Sequence, residues 1–514
     1  LNRHQHLIPP AIAYYTTGEE RYARIVVAQL EMWLSACEYP LGPAWSTGIE
    51  IGVRLLTWAW LFRFLFARER PLGCSDAMLV AWLRSVRQHV RAIDCAYAVQ
   101  SSANNHAIAE AVGVLAAVST WPALLSETRW RRRAERVLQR ECNRQIAPSG
   151  HHCEQATSYH AFVLELLLNA ALLDEHVRPM LTPYIARMAG RLQQMLQDAV
   201  PPSEWGDADD AVATGILPRT SSYYAEVADA AARWLQGPPT ASVAAVSTPV
   251  FWYAGDASPA ATAPLAYGHD RDAVFWSGAV APGVRAKLWL DVGSLGCGAL
   301  AAHGHADALS FTLHVNDEPV ITDCGTYAYH GESLWRNYFR GTRAHNTVRI
   351  NAADQALARG PFLWRAHYRV RTDHAVLSDD QFDVEAEHDG YLRRFGVIHR
   401  RHIAWHPLQR VWIIEDYLQG RGACDAEVLL HLHPDRLVST IEGGALVHGI
   451  GYTVRIEMPE SLSPHAVVRG AEDPPLGWFS PRLGLKIPCH TLLAAGRVHM
   501  PARLTTRIII EASQ

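Results

Sequence analysis

Apolar residues change their repeat part-way along the chain, from helical spacing to strict alternation, and few architectures accommodate both in that order. Up to about residue 235 they recur every three or four positions, as at Tyr22, Ile25, Val26, Leu30 and Trp33, and in the run from Phe162 to Leu173. Breakers at Pro40 to Pro43, Pro71 to Cys74, Pro148 to Gly150 and Pro201-Pro202 separate these stretches, which predicts successive antiparallel helical hairpins. No strict repeat is visible. The segment Gly237-Pro238-Pro239-Thr240-Ala241-Ser242, followed by small residues up to Pro249, lacks amphipathic pattern, so a helical domain is expected over 1–236 and a second domain over 237–514.

In the second domain Leu309-Ser310-Phe311-Thr312-Leu313-His314-Val315 alternates, and Asn316-Asp317-Glu318-Pro319 supplies a turn before Val320-Ile321-Thr322, which predicts a hairpin. Further strands are expected at Ala286 to Asp291, Thr347 to Ile350, Val411 to Tyr417, Val428 to Leu432, Tyr452 to Ile456 and Arg507 to Ile510, the spacing of an antiparallel sandwich. The fold class is α+β and multidomain.

The 514 residues suffice for sizeable cores, and no stretch approaches the roughly 20 apolar residues of a membrane span. A formal charge of −4 offers no general field for nucleic acid, so neither nucleic acid nor membrane is an expected partner. Of 47 cations only Lys287 and Lys486 are lysines; arginine's planar fork suits an acidic substrate, although lineage bias explains the excess as well. The nine cysteines are odd in number and form no CxxC pair, so buried thiols and no disulfide framework are expected. No basic-then-apolar leader follows Leu1, so these residues are expected to hold no signal segment; a periplasmic or secreted location is favoured over a cytoplasmic one. The basic run Arg129 to Arg144 is interleaved with Glu127, Glu135 and Glu141 at same-face distances, which reads as a solvated helix face.

Three segments carry chemistry. In Ser101 to Glu110 two amides and an imidazole precede an Ala-rich helix; Asn104 or Ser102 as a helix cap is one reading, but a cap does not require His106. Glu154-Gln155-Ala156-Thr157-Ser158-Tyr159-His160 again puts polar groups at the start of an apolar helix. His303-Gly304-His305-Ala306-Asp307, Asp323 and Arg343-Ala344-His345 converge from neighbouring strands. Of these, His305, Asp323 and His345 form an N/N/O divalent-metal set whose alternative is a buried polar network. Trp205 to Asp210 reads either as a Gly/Asp loop that binds calcium or lines the cleft or, in preference, as an acidic turn between helices, and His431-Leu432-His433 as structural.

The block from His303 to Asn351, with GHADALSF, DCGTYAYH and NYFRGTRAHNTV, resembles the C-terminal domain of the heparinase II/III-like polysaccharide lyases. Asn2-Arg3-His4, Glu50 to Arg54 before a Trp-rich helix, Asn-Asn-His and Glu-Gln-x-x-x-Tyr-His extend the resemblance through the N-terminal half. It implies an incomplete (α/α) toroid followed by an antiparallel β-sandwich. By the same resemblance Asn105, His106, Tyr159, His303 and Tyr338 are the expected catalytic residues. Arg54, Asn104, Glu154, Gln155, His160 and Arg343 are the expected substrate contacts, and His305, Asp323 and His345 the ligands of a structural divalent metal, usually zinc. The expected partner is an acidic polysaccharide, a glycosaminoglycan such as heparan sulfate, hyaluronate or chondroitin, or alginate; a homodimer is left open.

Such residue types suit β-elimination. The C5 proton of a 4-linked uronate is too weakly acidic until donors such as Asn105, His106 and His303, with charge from Arg54 or Arg343, neutralise the adjoining carboxylate. Tyr159 is the expected acid towards the leaving oxygen. It doubles as base if proton and leaving group share a ring face; otherwise His106, His303 or Tyr338 is the base. Two rivals are a glycoside hydrolase pairing Glu154 with Asp207 or Asp209 and a non-catalytic polysaccharide-binding or biosynthetic accessory protein.

Overall fold

The computed structural model describes residues 2–67, 70–71, 73–100, 103–125, 128–196, 205–236, 248–255 and 265–512. Ser101-Ser102, Glu127, Pro201-Pro202 and the 237–247 part of the expected boundary lie outside them. The chain forms two compact units, one of Leu1–Cys153, Tyr159–Leu196 and Ala211–Ala263, the other of Glu154–Ser158, Gln197–Asp210 and Pro264–Gln514. Their sequences interleave.

Ten α-helices precede the first strand among the described residues: α1 (Ile8–Thr17), α2 (Glu20–Ala36), α3 (Gly48–Leu65), α4 (Asp76–Cys95), α5 (Asn105–Thr120), α6 (Thr128–Gln145), α7 (Thr157–Leu173), α8 (Arg178–Leu196), α9 (Tyr223–Trp234) and α10 (Thr248–Ala254). Helices α3, α5 and α7 are apolar nearly all round and are accordingly buried along most of their length. The basic α6 instead buries one face, Trp130, Ala134, Val137, Leu138 and Cys142. Its arginines pair with Glu135 and Asp94 and also reach two buried acids, Glu141 and Asp174.

Helices α3 and α5 meet backbone to backbone. A Cβ on Gly113 would lie 2.3 Å from the Gly52 carbonyl oxygen, and one on Gly52 would lie 2.5 Å from that of Ala109. This contact fixes the start of α5, where Asn104 to His106 sit. Gly113→Ala is therefore expected to destabilise the helical unit by about 1–3 kcal/mol through overpacking. Gly190→Ala, in α8 with no heavy atom within 4 Å of the added Cβ, should gain up to about 1 kcal/mol from helix propensity. Thermal unfolding of the two variants checks the opposite signs.

The second unit is antiparallel in every strand pairing of its three larger sheets. A five-stranded sheet runs in chain order from Tyr267–His269 to Glu318–Ile321. Its last hairpin pairs Phe311–Val315 with Glu318–Ile321 across Asn316 and Asp317, both at positive φ (47° and 63°), the backbone of a two-residue turn matched to strand twist. An eight-stranded sheet has the order Leu437–Ile441, Gly444–Gly449, Tyr452–Glu457, Ala502–Ala512, Val411–Gln419, Ile398–His406, Phe382–His388, Val370–Leu377. In a four-stranded sheet His465–Arg469, His490–His499, Ala423–His431 and Val348–Ile350 are neighbours. Inward side chains of all three, among them Trp276, Leu288, Phe311, Val384, Ile414, Leu430, Leu492 and Ile508, share one apolar core. Every strand expected from alternation is present.

Candidate active site

At the start of α5 the Asn104 side chain accepts a hydrogen bond from the His106 amide at 3.1 Å and is the helix cap. The Asn104 backbone carbonyl accepts from Gln145 Nε2 at 3.0 Å, which ties the cap to α6. Asn105 is fully buried and His106 half-buried. Tyr159 stands in the first turn of α7 and is 7% exposed.

Asp207 is the hub of the second unit's site. Arg336 clasps both of its oxygens, through Nη1 on Oδ1 and Nη2 on Oδ2 at 2.8 Å, while His303 Nδ1 donates to Oδ2 and His305 Nε2 to Oδ1, each at 3.1 Å. The carboxylate is fully buried, which works against ionisation, yet the Arg336 charge and the histidine hydrogen bonds hold its pKa well below the usual range. For His303, burial opposes protonation but the bond to Asp207 and the charge of Glu154, whose Oε2 lies 3.6 Å from His303 Nε2, raise its pKa. Gly206 makes this loop feasible: it has φ +63°, and a Cβ there would lie 2.2 Å from the Gln155 carbonyl oxygen. Gln155 Nε2 itself donates to Asp272 at 3.0 Å.

Potential ligand atoms of His305, Asp323 and His345 lie within 4.8 Å of one another, all three residues buried. His345 Nδ1 donates to Asp323 Oδ2 at 2.7 Å, and His305 Nε2 is held by Asp207. His305 Nδ1 and His345 Nε2 are left buried with no hydrogen-bond partner. Two lone-pair nitrogens beside a carboxylate, each ring fixed through its other nitrogen by an acid, fit a divalent metal.

Three expected substrate contacts and one expected catalytic residue have other partners in the structure. Arg54 is fully buried and donates to His89 Nε2, the Asn2 carbonyl and the Ala44 carbonyl at 2.8, 2.9 and 2.6 Å, between Trp33 and Trp45. His160 bonds the Met188 carbonyl at 3.0 Å, and burial lowers its pKa to about 3. Arg343 faces Glu427, which it shares with Arg349. Tyr338 packs among Cys324, Phe339, Leu429 and Leu476 with its hydroxyl sealed from solvent. Tyr329 lies near His303 and Arg336, its ring centroid 6.3 Å from that of His303 and 5.1 Å from the Arg336 guanidinium carbon. Arg336 and Tyr329 carry no role in the sequence reading, and Asp207 enters it only as a carboxylate of the rival hydrolase. The Trp-Gly-Asp triplet was the available signal for Asp207, since glycine before a buried acid marks a close backbone approach.

Family models for the heparinase II/III N-terminus and the heparinase II/III-like C-terminal region match residues 1–200 and 278–510. The chain belongs to the heparinase II/III-like family. Among curated relatives of this heparinase II/III-like chain, a heparin-sulfate lyase from Pedobacter heparinus is 29% identical over 166 residues, 31% of the chain. That match spans 24% of the relative's length. Heparinase III superposes with a TM-score of 0.74 and heparan sulfate lyase from Pedobacter heparinus with 0.68. Each is 16% identical, with 100% of this chain and 76% of the other covered. Chondroitin AC lyase from Streptomyces coelicolor A3 gives 0.57 at 12% identity, covering 100% of the chain and 74% of its own. These likenesses establish the fold: a helical toroid and an antiparallel β-sandwich. Among the described residues no helix is long and apolar enough to cross a membrane.

Proposed function

We propose that this chain is a polysaccharide lyase that cleaves a uronate-containing glycosaminoglycan by β-elimination, leaving an unsaturated uronate at the new end. The observation that supports it most is buried His303, gripped at Nδ1 by Asp207, in a chain that both family models match. Asn105 and His106 donate to the uronate carboxylate and favour the enolate-like intermediate over the ground state. With Asp207 on Nδ1, Nε2 is the His303 nitrogen that takes the C5 proton when it lies opposite the leaving oxygen. Tyr159 protonates O4, and serves both steps when proton and leaving group share a face.

A hydrolase pairing Glu154 with Asp207 is disfavoured, because Arg336, His303 and His305 engage both Asp207 oxygens and leave neither to attack a sugar carbon or activate a water. Incubation with a panel of uronate polymers tests the reading. Ultraviolet absorbance from the unsaturated product is expected; reducing ends without absorbance would mean hydrolysis, and no change on any polymer would mean binding alone.

His305, Asp323 and His345 would hold zinc or a similar divalent ion, which when bound cross-links three chain segments and stiffens the loop bearing His303. Chelation is expected to lower the melting temperature by several degrees, with recovery on adding zinc. A chelated sample that melts unchanged yet loses all activity would contradict this bracing role.

A further inference from the structure

A cavity of about 480 Å³ in the sandwich unit has Tyr329, the neighbour of His303, in its wall. Three arginines line it and no carboxylate does. Two of them are committed. Arg336 is clasped to Asp207 and donates to the Pro361 carbonyl at 2.8 Å. Arg340 donates to the Gly360 and Pro361 carbonyls and to Asn337 Oδ1, at 2.7, 3.0 and 2.7 Å, and lies over Trp364. Its acceptors are all neutral, so its charge has no contact ion pair. The third, Arg359, is exposed and has no ion-pair partner among the described residues. His330, also exposed, packs its ring 5.3 Å from Phe362 at the same wall.

A cationic hollow with fixed walls and one uncommitted guanidinium suits a planar or tetrahedral oxyanion, which arginine engages through two parallel bonds. Resting on the lyase reading, we infer that this cavity binds a second anionic substituent of the polymer, a sulfate ester or carboxylate on a sugar near the cleaved uronate, and that Arg359 determines that preference. Within the sandwich unit the cavity lies beside His303 through Tyr329, and it reads a sugar neighbouring the one that undergoes elimination.

The test uses the full chain with Arg359→Ala and Arg359→Lys, on a sulfated glycosaminoglycan and on its chemically desulfated form. Affinity gel electrophoresis at low and moderate salt measures binding, and absorbance of the unsaturated product measures turnover. Arg359→Ala is expected to weaken binding and raise KM about tenfold with kcat unchanged, and to flatten the salt dependence, while Arg359→Lys restores the salt dependence but only part of the affinity, because lysine keeps the charge and not the two-bonded fork. An effect confined to the sulfated polymer identifies a sulfate ester; an equal effect on both identifies a carboxylate. Unchanged affinity and salt dependence on both polymers would overturn the assignment. Absence of unsaturated product from the unaltered chain would refute the lyase reading, and the electrophoretic comparison would still decide the cavity.

Discussion

Asp207→Asn is expected to lower the stability of the sandwich unit by about 3–5 kcal/mol and to abolish most turnover. The amide keeps the size of the side chain but removes the charge facing Arg336, and an unpaired guanidinium in a buried setting is the costly half of a broken ion pair. It also gives His303 and His305 a weaker acceptor, so the ring that exchanges the proton loses its fixed orientation. Adding Arg336→Met to Asp207→Asn should recover part of the stability, because the uncompensated charge disappears, but none of the turnover. Calorimetry on the two variants separates these effects; an unaltered melting profile for Asp207→Asn would remove Asp207 from its central place.

Tyr159→Phe is expected to fold normally and to reduce kcat by roughly 10²–10⁴, the usual contribution of a positioned proton donor. The ring is 7% exposed and stays packed, so loss of the hydroxyl costs only about 1 kcal/mol of stability. KM should move little, since the hydroxyl acts on the departing oxygen rather than on the sugar's carboxylate. Unchanged kcat would exclude Tyr159 from the chemistry.

Periodicity carried most of the fold. The change of repeat separated helices from strands because burial on one face writes itself into every third, fourth or second residue. His305, Asp323 and His345 were legible for a related reason: they sit on or beside adjacent strands of one hairpin and the loop that follows. Asp207 was not, since 129 residues separate it from Arg336 and nothing local records the pairing. Tyr338, expected from the resemblance alone, shows what helical phase does to such a match. Ser333–Arg340 is a short helix, so Arg336 and Arg340, four apart, share a face towards the cavity while Tyr338, two residues from each, turns into the apolar cluster. Arg54 misled because a guanidinium stacked on tryptophans inside a helical bundle looks, in sequence, like one awaiting a ligand.

Because residues 154–158 and 205–210 belong with the sandwich, dissecting the protein by truncation has a predictable hazard. A fragment beginning at Pro264 would carry His303, His305 and Arg336 without the acceptor that all three share. Expressed by itself it would be left with a stranded cationic cluster, and failure of such a fragment to fold would report the missing loop rather than any weakness of the strands. Supplying the Asp207 loop in a redesigned connection is the way to ask whether the β unit stands alone.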